Sequence, residues 1–158
     1  MYDKRGRLLS ITDANNGTFS YAYNGIGQVT MATDPLGRQT SYSYDMHGWL
    51  IAETEAWNSP TARLTTMLYD KKGRLLSITR GQSPTLSYND PETTSYGYDA
   101  MSHVTTIIEA FHTNDQRVTT ISYDNAGKVT RITDPSLIVT TFGYDFANRV
   151  NRINESAN

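Results

Sequence analysis

The sequence predicts an all-β protein: an antiparallel meander of β-hairpin repeats, forming a ribbon that curls under its own twist. Three observations carry this prediction. A Tyr-Asp motif recurs seven times. Aromatic residues alternate with small polar ones before each copy, the period of two of a strand. Asp, Gly and Pro punctuate the alternating runs at fixed offsets, as hairpin turns require. The alternative architecture is a β-propeller, because two short units of about 42 residues together have the size of one four-stranded blade.

The repeat is plain in the eleven residues from Tyr2 to Thr12, YDKRGRLLSIT, which return from Tyr69 to Thr79 as YDKKGRLLSIT. Weaker copies begin at Tyr23, Tyr44, Tyr98, Tyr123 and Tyr144, and successive starts are spaced 21, 21, 25, 29, 25 and 21 residues. The second position holds Asp3, Asn24, Asp45, Asp70, Asp99, Asp124 and Asp145. The fifth holds Gly6, Gly27, Gly48, Gly73, Ser102, Gly127 and Asn148. The seventh is always Leu or Val, and the tenth is apolar except for Glu53. The chain therefore reads as one repeat array over residues 1–158, with six full units and a partial seventh, and as a segment of a longer protein.

Each unit reads as strand, turn, strand, turn. Phe19, Tyr21 and Tyr23 share one strand face, as do Tyr96 and Tyr98, Ile121 and Tyr123, and Phe142 and Tyr144. In the D-x-x-G turn the Asp carboxylate is expected to accept backbone amides two or three residues on. The Gly supplies the positive φ with which a bulged hairpin rejoins its strand. The second turn lies at the opposite sheet edge, at Asp13, at Asp34-Pro35-Leu36-Gly37 and at Asp134-Pro135-Ser136-Leu137. All length variation falls at this edge, in insertions at 55–63, 80–95 and 109–118. The apolar seventh and tenth positions are an odd number apart, which demands either a bulge or cover on both faces. Thirteen or 14 strands of roughly five to seven residues result.

Composition excludes several functions. A formal net charge of -2 with scattered Lys and Arg offers no basic stripe for nucleic acid. No apolar run approaches the roughly 20 residues of a membrane helix, so no membrane insertion is expected. Absence of cysteine removes disulfides and thiolate chemistry. His47, His103 and His112 do not recur in register and read as surface turn residues rather than ligands or bases. Asp13-Ala14-Asn15-Asn16-Gly17 lacks the alternating oxygen ligands of a calcium loop and reads as a turn. No nucleophile is assembled with a base, so neither catalysis nor a cofactor is expected. The tyrosines, with Tyr21, Tyr42, Tyr88 and Tyr96 added to the motif positions, are read as rings packed between strands with their hydroxyls toward water. A glycan-binding role for this aromatic face, or for the inserted loops, is the rival reading.

The motif Y-D-x-x-G-[RK]-[LV], carried fully by Tyr2-Asp3…Gly6-Arg7-Leu8, Tyr69-Asp70…Gly73-Arg74-Leu75 and Tyr123-Asp124…Gly127-Lys128-Val129, resembles the YD repeat of Rhs (rearrangement hotspot) proteins. The same repeat occurs in bacterial insecticidal toxin complexes and in teneurins. The resemblance implies a β-ribbon spiralling into a hollow shell, which in bacterial members encloses a toxin. It implies a secreted or cell-surface location, and as partners the remaining repeats of the same or an associated chain and an encapsulated toxin domain. A cell-surface adhesion array is the alternative. Family members that cleave themselves carry Asp-Pro-x-Gly elements. Asp34-Pro35-Leu36-Gly37 is similar to these, whereas Asp134-Pro135-Ser136-Leu137 lacks the Gly and lies 100 residues away, so both are read as ordinary turns.

Overall fold

A computed structural model describes residues 1–57, 59–82 and 91–157. Residues 83–90 of the longest insertion, including Tyr88, lie outside the described residues. The described chain is all strand and turn. Its strands are β1 (Ser10–Thr12), β2 (Thr18–Tyr23), β3 (Val29–Thr33), β4 (Gln39–Tyr44), β5 (Leu50–Glu55), β6 (Arg63–Tyr69), β7 (Leu75–Gln82), β8 (Glu92–Tyr98), β9 (Val104–Glu109), β10 (Arg117–Tyr123), β11 (Val129–Thr133), β12 (Ile138–Tyr144) and β13 (Val150–Ala157). They follow one another through the sheet in chain order, an antiparallel meander rather than separate blades. Lengths run from 3 to 8 residues, a wider spread than the sequence suggests. The chain forms two compact units, one of Met1–Leu68 with Thr79–Pro91, the other of Tyr69–Ile78 with Glu92–Asn158.

The odd spacing of the two apolar motif positions is resolved by a β-bulge. In unit one Ala22 faces Met31, yet Tyr23 faces Val29, so Thr30 is the extra residue. Tyr44 opposite Leu50 makes Ile51 the extra residue in the next hairpin. The second unit repeats the device at Thr105, Thr130 and Asn151. One added residue restores the parity of the pleat. The seventh and tenth positions then lie on the same face, against the alternating aromatics: Tyr21 opposes Ala32, Tyr96 opposes Ile107, and Phe142 opposes Ile153. Glu53 takes the place of the apolar residue opposite Tyr42. Burial and this neighbouring carboxylate push the Tyr42 hydroxyl pKa up.

Among the described residues neither unit encloses a core. Among the described residues only Ala62 and Val139 are buried apolar side chains, at 5% and 6% exposure, and Thr54 is buried at 6%. Backbone ladders and half-buried side-chain pairs thus hold the units together, rather than a sealed apolar interior.

The turns at both edges share one geometry. Gly6 N donates to Asp3 O at 3.0 Å and Asp3 N to Arg7 O at 2.9 Å, a type I turn closed by a bulge residue. The same pair of bonds recurs at Asp34 and Asp134 on the opposite edge. Where the Gly is missing, other residues take the left-handed conformation: Leu137 has φ 64° and Ser102 φ 73°. Leu137 is 58% exposed, so little packing is lost with its side chain. Leu137→Gly is expected to stabilise the protein by about 1 kcal/mol through relief of backbone strain, read as a higher urea midpoint at unchanged slope.

Candidate functional site

The motif residues converge on the Tyr-Asp edge of each unit. Their chemistry there joins one turn to the next. In the first turn Asp3 Oδ1 accepts Arg5 N at 2.8 Å and Arg7 N at 2.9 Å. Asp70, Asp124 and Asp145 do the same for the amides two and four residues on. The reach is therefore two and four residues, not two or three, because the positive-φ residue turns its own amide toward the Asp carbonyl instead. These bonds depress the carboxyls. The Arg7 backbone N–H is the largest cause holding Asp3 below its ordinary 3.8; desolvation opposes it, and the Arg7 guanidinium and the Arg5 N–H add to the lowering. The Lys128 backbone N–H does the same for Asp124, and that of Arg149 for Asp145.

The sixth motif position supplies the second half of the device. Arg7 Nε pairs with Asp3 at 2.7 Å, its guanidinium lies 4.8 Å from the Tyr23 ring centroid, and Nη1 donates to Asn24 O at 3.1 Å. Arg74 repeats all three contacts with Asp70, Tyr98 and Asp99 O. Lys128 lies over Tyr144 and donates to Asn148 Oδ1. His103 bonds Asp99 at 2.9 Å and stacks on Tyr123 at 4.7 Å, so it is part of the repeat rather than a stray surface residue. In one unit positions two and six change together. Asn24, the one amide among the acids, donates to Gln28 Oε1 at 2.8 Å, and Gln28 reaches on to Gly48 O. That exchange of Asp/Arg for Asn/Gln is visible in the sequence once the sixth position is aligned, and it was the signal that turn chemistry alone did not reveal.

Five motif tyrosine hydroxyls are bonded to protein carbonyls rather than turned to water. Tyr23 donates to Leu8 O at 2.7 Å, Tyr44 to Val29 O at 2.8 Å, and Tyr98 to Leu75 O at 2.7 Å. Tyr123 donates to Val104 O and Tyr144 to Val129 O. Each acceptor is the seventh residue of the preceding unit. The cause is visible in the register. Pairing of β3 with β4 ends at Met31 and Ser41, and that of β11 with β12 at Arg131 and Thr141. The strands splay at the bulge, the Val carbonyl lies beyond the last backbone rung, and the Tyr hydroxyl satisfies it. Tyr144→Phe is expected to lower stability by about 1 kcal/mol, because the carbonyl loses its donor while the ring stays; chemical denaturation measures it.

A second resemblance within the chain escaped motif counting. Glu55-Ala56-Trp57 and Glu109-Ala110-Phe111 open the two four-residue insertions. Ala56 and Ala110 have φ 50° and 51°, and the following aromatic N–H donates to Gln39 O and to Thr93 O respectively. Among the described residues no group of three or more His, Cys, Asp or Glu side chains could hold a metal ion. Among the described residues no helix is long and apolar enough to cross a membrane.

Comparison with known proteins agrees with this geometry. The RHS Repeat family matches at residues 2–39 and 23–56. The array thus resembles RHS repeats, with the family match lying within residues 2–56. Teneurin-3 of Danio rerio is 24% identical over 78 residues, 49% of this chain and 3% of the teneurin. The Tc holotoxin pore of Photorhabdus luminescens superposes on 99% of the chain with a TM-score of 0.79 at 20% identity, and so shows the fold. This chain spans only 9% of that toxin chain.

Proposed function

We propose that this chain is a wall segment of a hollow Rhs shell whose cargo is a toxin or effector polypeptide, in a protein that is secreted or displayed at the cell surface. The observation that carries the reading is the seam of Tyr hydroxyl to carbonyl bonds at one edge, with all insertions kept to the other. A seam that joins each hairpin to the one before it extends without limit along a ribbon, and a ribbon is what a wall needs. The lack of an enclosed core fits a panel whose faces meet other parts of a larger assembly. In this reading the Tyr, Asp and Gly positions serve the array and not a ligand, residues 1–158 act as one repeat segment, and the edge strands β1 and β13 pair with further repeats of the same or an associated chain.

Cryo-electron microscopy of the intact polypeptide that contains these repeats tests the proposal. A closed β shell with a second segment inside it, protected from added protease until the shell is opened, is the expected result. An open ribbon with both faces in solvent, and no protected segment, would refute it.

A further inference from the structure

Two Asn-Gly pairs occur in the chain, Asn16-Gly17 and Asn24-Gly25, both in hairpin turns. The second sits at the motif position where six units carry Asp and this unit alone carries an amide. In an Asn-Gly pair the glycine nitrogen can attack the side-chain amide carbon, because the ring that forms has five members and glycine has no Cβ to obstruct it. The two turns prepare that reaction differently.

Around Asn24 both reacting groups are set up. Its side-chain Oδ1 accepts Ile26 N at 3.1 Å and Gln28 N at 2.9 Å, so two fixed N–H donors face the oxygen on which negative charge develops when Cγ is attacked. Its backbone carbonyl, which is conjugated with the attacking nitrogen, accepts Gly27 N at 3.1 Å and Arg7 Nη1 at 3.1 Å. A guanidinium on that oxygen stabilises the amide anion through which Gly25 N attacks. The Gly25 N–H has no hydrogen bond among the described residues, the residue is exposed, and an added Cβ there meets nothing within 4 Å. Gly17 differs on each count. Its N–H is held by Asp13 Oδ1 at 2.8 Å, it is half-buried, and a Cβ would lie 2.8 Å from Asp13 Oδ2. The carboxylate beside it opposes an anion on its nitrogen.

We propose that Asn24-Gly25 is a site of spontaneous deamidation, and that the conversion unlinks the second Tyr-Asp turn from the third. Gly25 N loses its proton to solvent base and bonds to Asn24 Cγ. The Cγ–Nδ2 bond breaks, and Nδ2 takes a proton from water and leaves as ammonia. Water then opens the cyclic imide to aspartate or isoaspartate, so the net change is one amide hydrolysed to one carboxylate. The present link runs from Asn24 Nδ2 to Gln28 Oε1 at 2.8 Å and from Gln28 Nε2 to Gly48 O at 2.9 Å. A carboxylate at position 24 has no N–H to give and repels Gln28 Oε1. Gln28 must reverse its amide to offer Nε2, and the bond to Gly48 O is then lost. Isoaspartate also adds a backbone carbon inside the turn, which disturbs the bond from Asn24 N to Gln28 O. The site is independent of the shell reading, since it needs only the turn and its neighbours.

The test ages the full 158-residue chain in mildly alkaline heavy-oxygen water and follows residues 16 and 24 by peptide mass mapping and isoaspartyl methyltransferase labelling. Conversion at Asn24, with uptake of heavy oxygen, is expected to run about tenfold or more faster than at Asn16, and the two rates should converge in urea. Gly25→Ala should slow Asn24 about tenfold or more, and Arg7→Gln several-fold, with Asn16 unchanged in both. Asn24→Asp, the authentic product, should lower the urea midpoint. Adding Gln28→Arg should restore it by rebuilding the pair that Asp3 makes with Arg7. Conversion at Asn16 as fast as at Asn24, rates unaffected by Gly25→Ala or Arg7→Gln, or Asn24→Asp as stable as the wild type would each overturn the inference.

Discussion

Gly127→Ala is expected to destabilise the protein by about 2–3 kcal/mol, roughly twice the loss from Gly37→Ala, though both glycines have nearly the same backbone. Their φ values are 77° and 78°, so the strain of placing an L side chain there is common to both. The surroundings differ. A Cβ at Gly37 meets nothing within 4 Å, whereas one at Gly127 comes within 2.9 Å of His103 Nε2 and 3.1 Å of Cε1. His103 cannot yield freely, because its other nitrogen bonds Asp99 and its ring stacks on Tyr123. Moving it breaks the link between one turn and the next. Urea denaturation of the two variants gives the comparison. In a double-mutant cycle His103→Ala should remove the excess cost at Gly127. Equal losses at the two glycines would show that the sixth-position side chain does not bear on the following turn.

The second large effect is a loss of stability in acid, as the aspartates of the turns are protonated together below their ordinary range. Asp3, Asp124 and Asp145 have carboxyls lowered chiefly by backbone N–H bonds from the fourth residue on. At Asp34, Asp45, Asp70 and Asp99 desolvation is the largest single effect and opposes ionisation, but the combined hydrogen bonds outweigh it, and these carboxyls are lowered too. A carboxyl whose folded pKa lies below its unfolded value binds fewer protons when folded. Its contribution is therefore complete above the ordinary 3.8 and disappears as pH falls through the lowered folded values. Seven such groups titrate in the same direction, so the melting temperature should be flat near neutrality and fall steeply in acid. Thermal melts across that range measure it. Asp124→Asn should shrink the slope, since the amide retains the two backbone bonds but has no charge to lose. A profile unchanged down to strong acid would mean that these carboxylates do not stabilise the turns.

Much of the fold was legible because its determinants are short in range. Asp-x-x-Gly encodes a bulged turn from neighbours alone, and the alternation in Thr-Phe-Ser-Tyr-Ala-Tyr encodes a strand face. Even the bulge left a trace, as the odd gap between Val29 and Ala32. The hydroxyl seam was not legible. A Tyr ring on a strand face can end in water or on a carbonyl, and which occurs depends on where the neighbouring ladder stops. The first insertion was half legible. It stood out at 55–63 by length, yet nothing in it announced that the Trp57 N–H would donate to Gln39 O, eighteen residues back.

Local chemistry alone thus specified the seven turns, the strand alternation and the single edge that accepts insertions, since each depends on residues within a few positions of one another. Tertiary structure decided the rest: that Arg7, Arg74 and Lys128 each reach past their own Asp to the next tyrosine, and that the hydroxyls of Tyr23, Tyr44, Tyr98, Tyr123 and Tyr144 close on the unit before them. These are contacts between successive units. They exist only once the sheet's bulges have splayed the strands and left a carbonyl without a backbone partner, a condition set by pairing across the sheet and by no single stretch of chain.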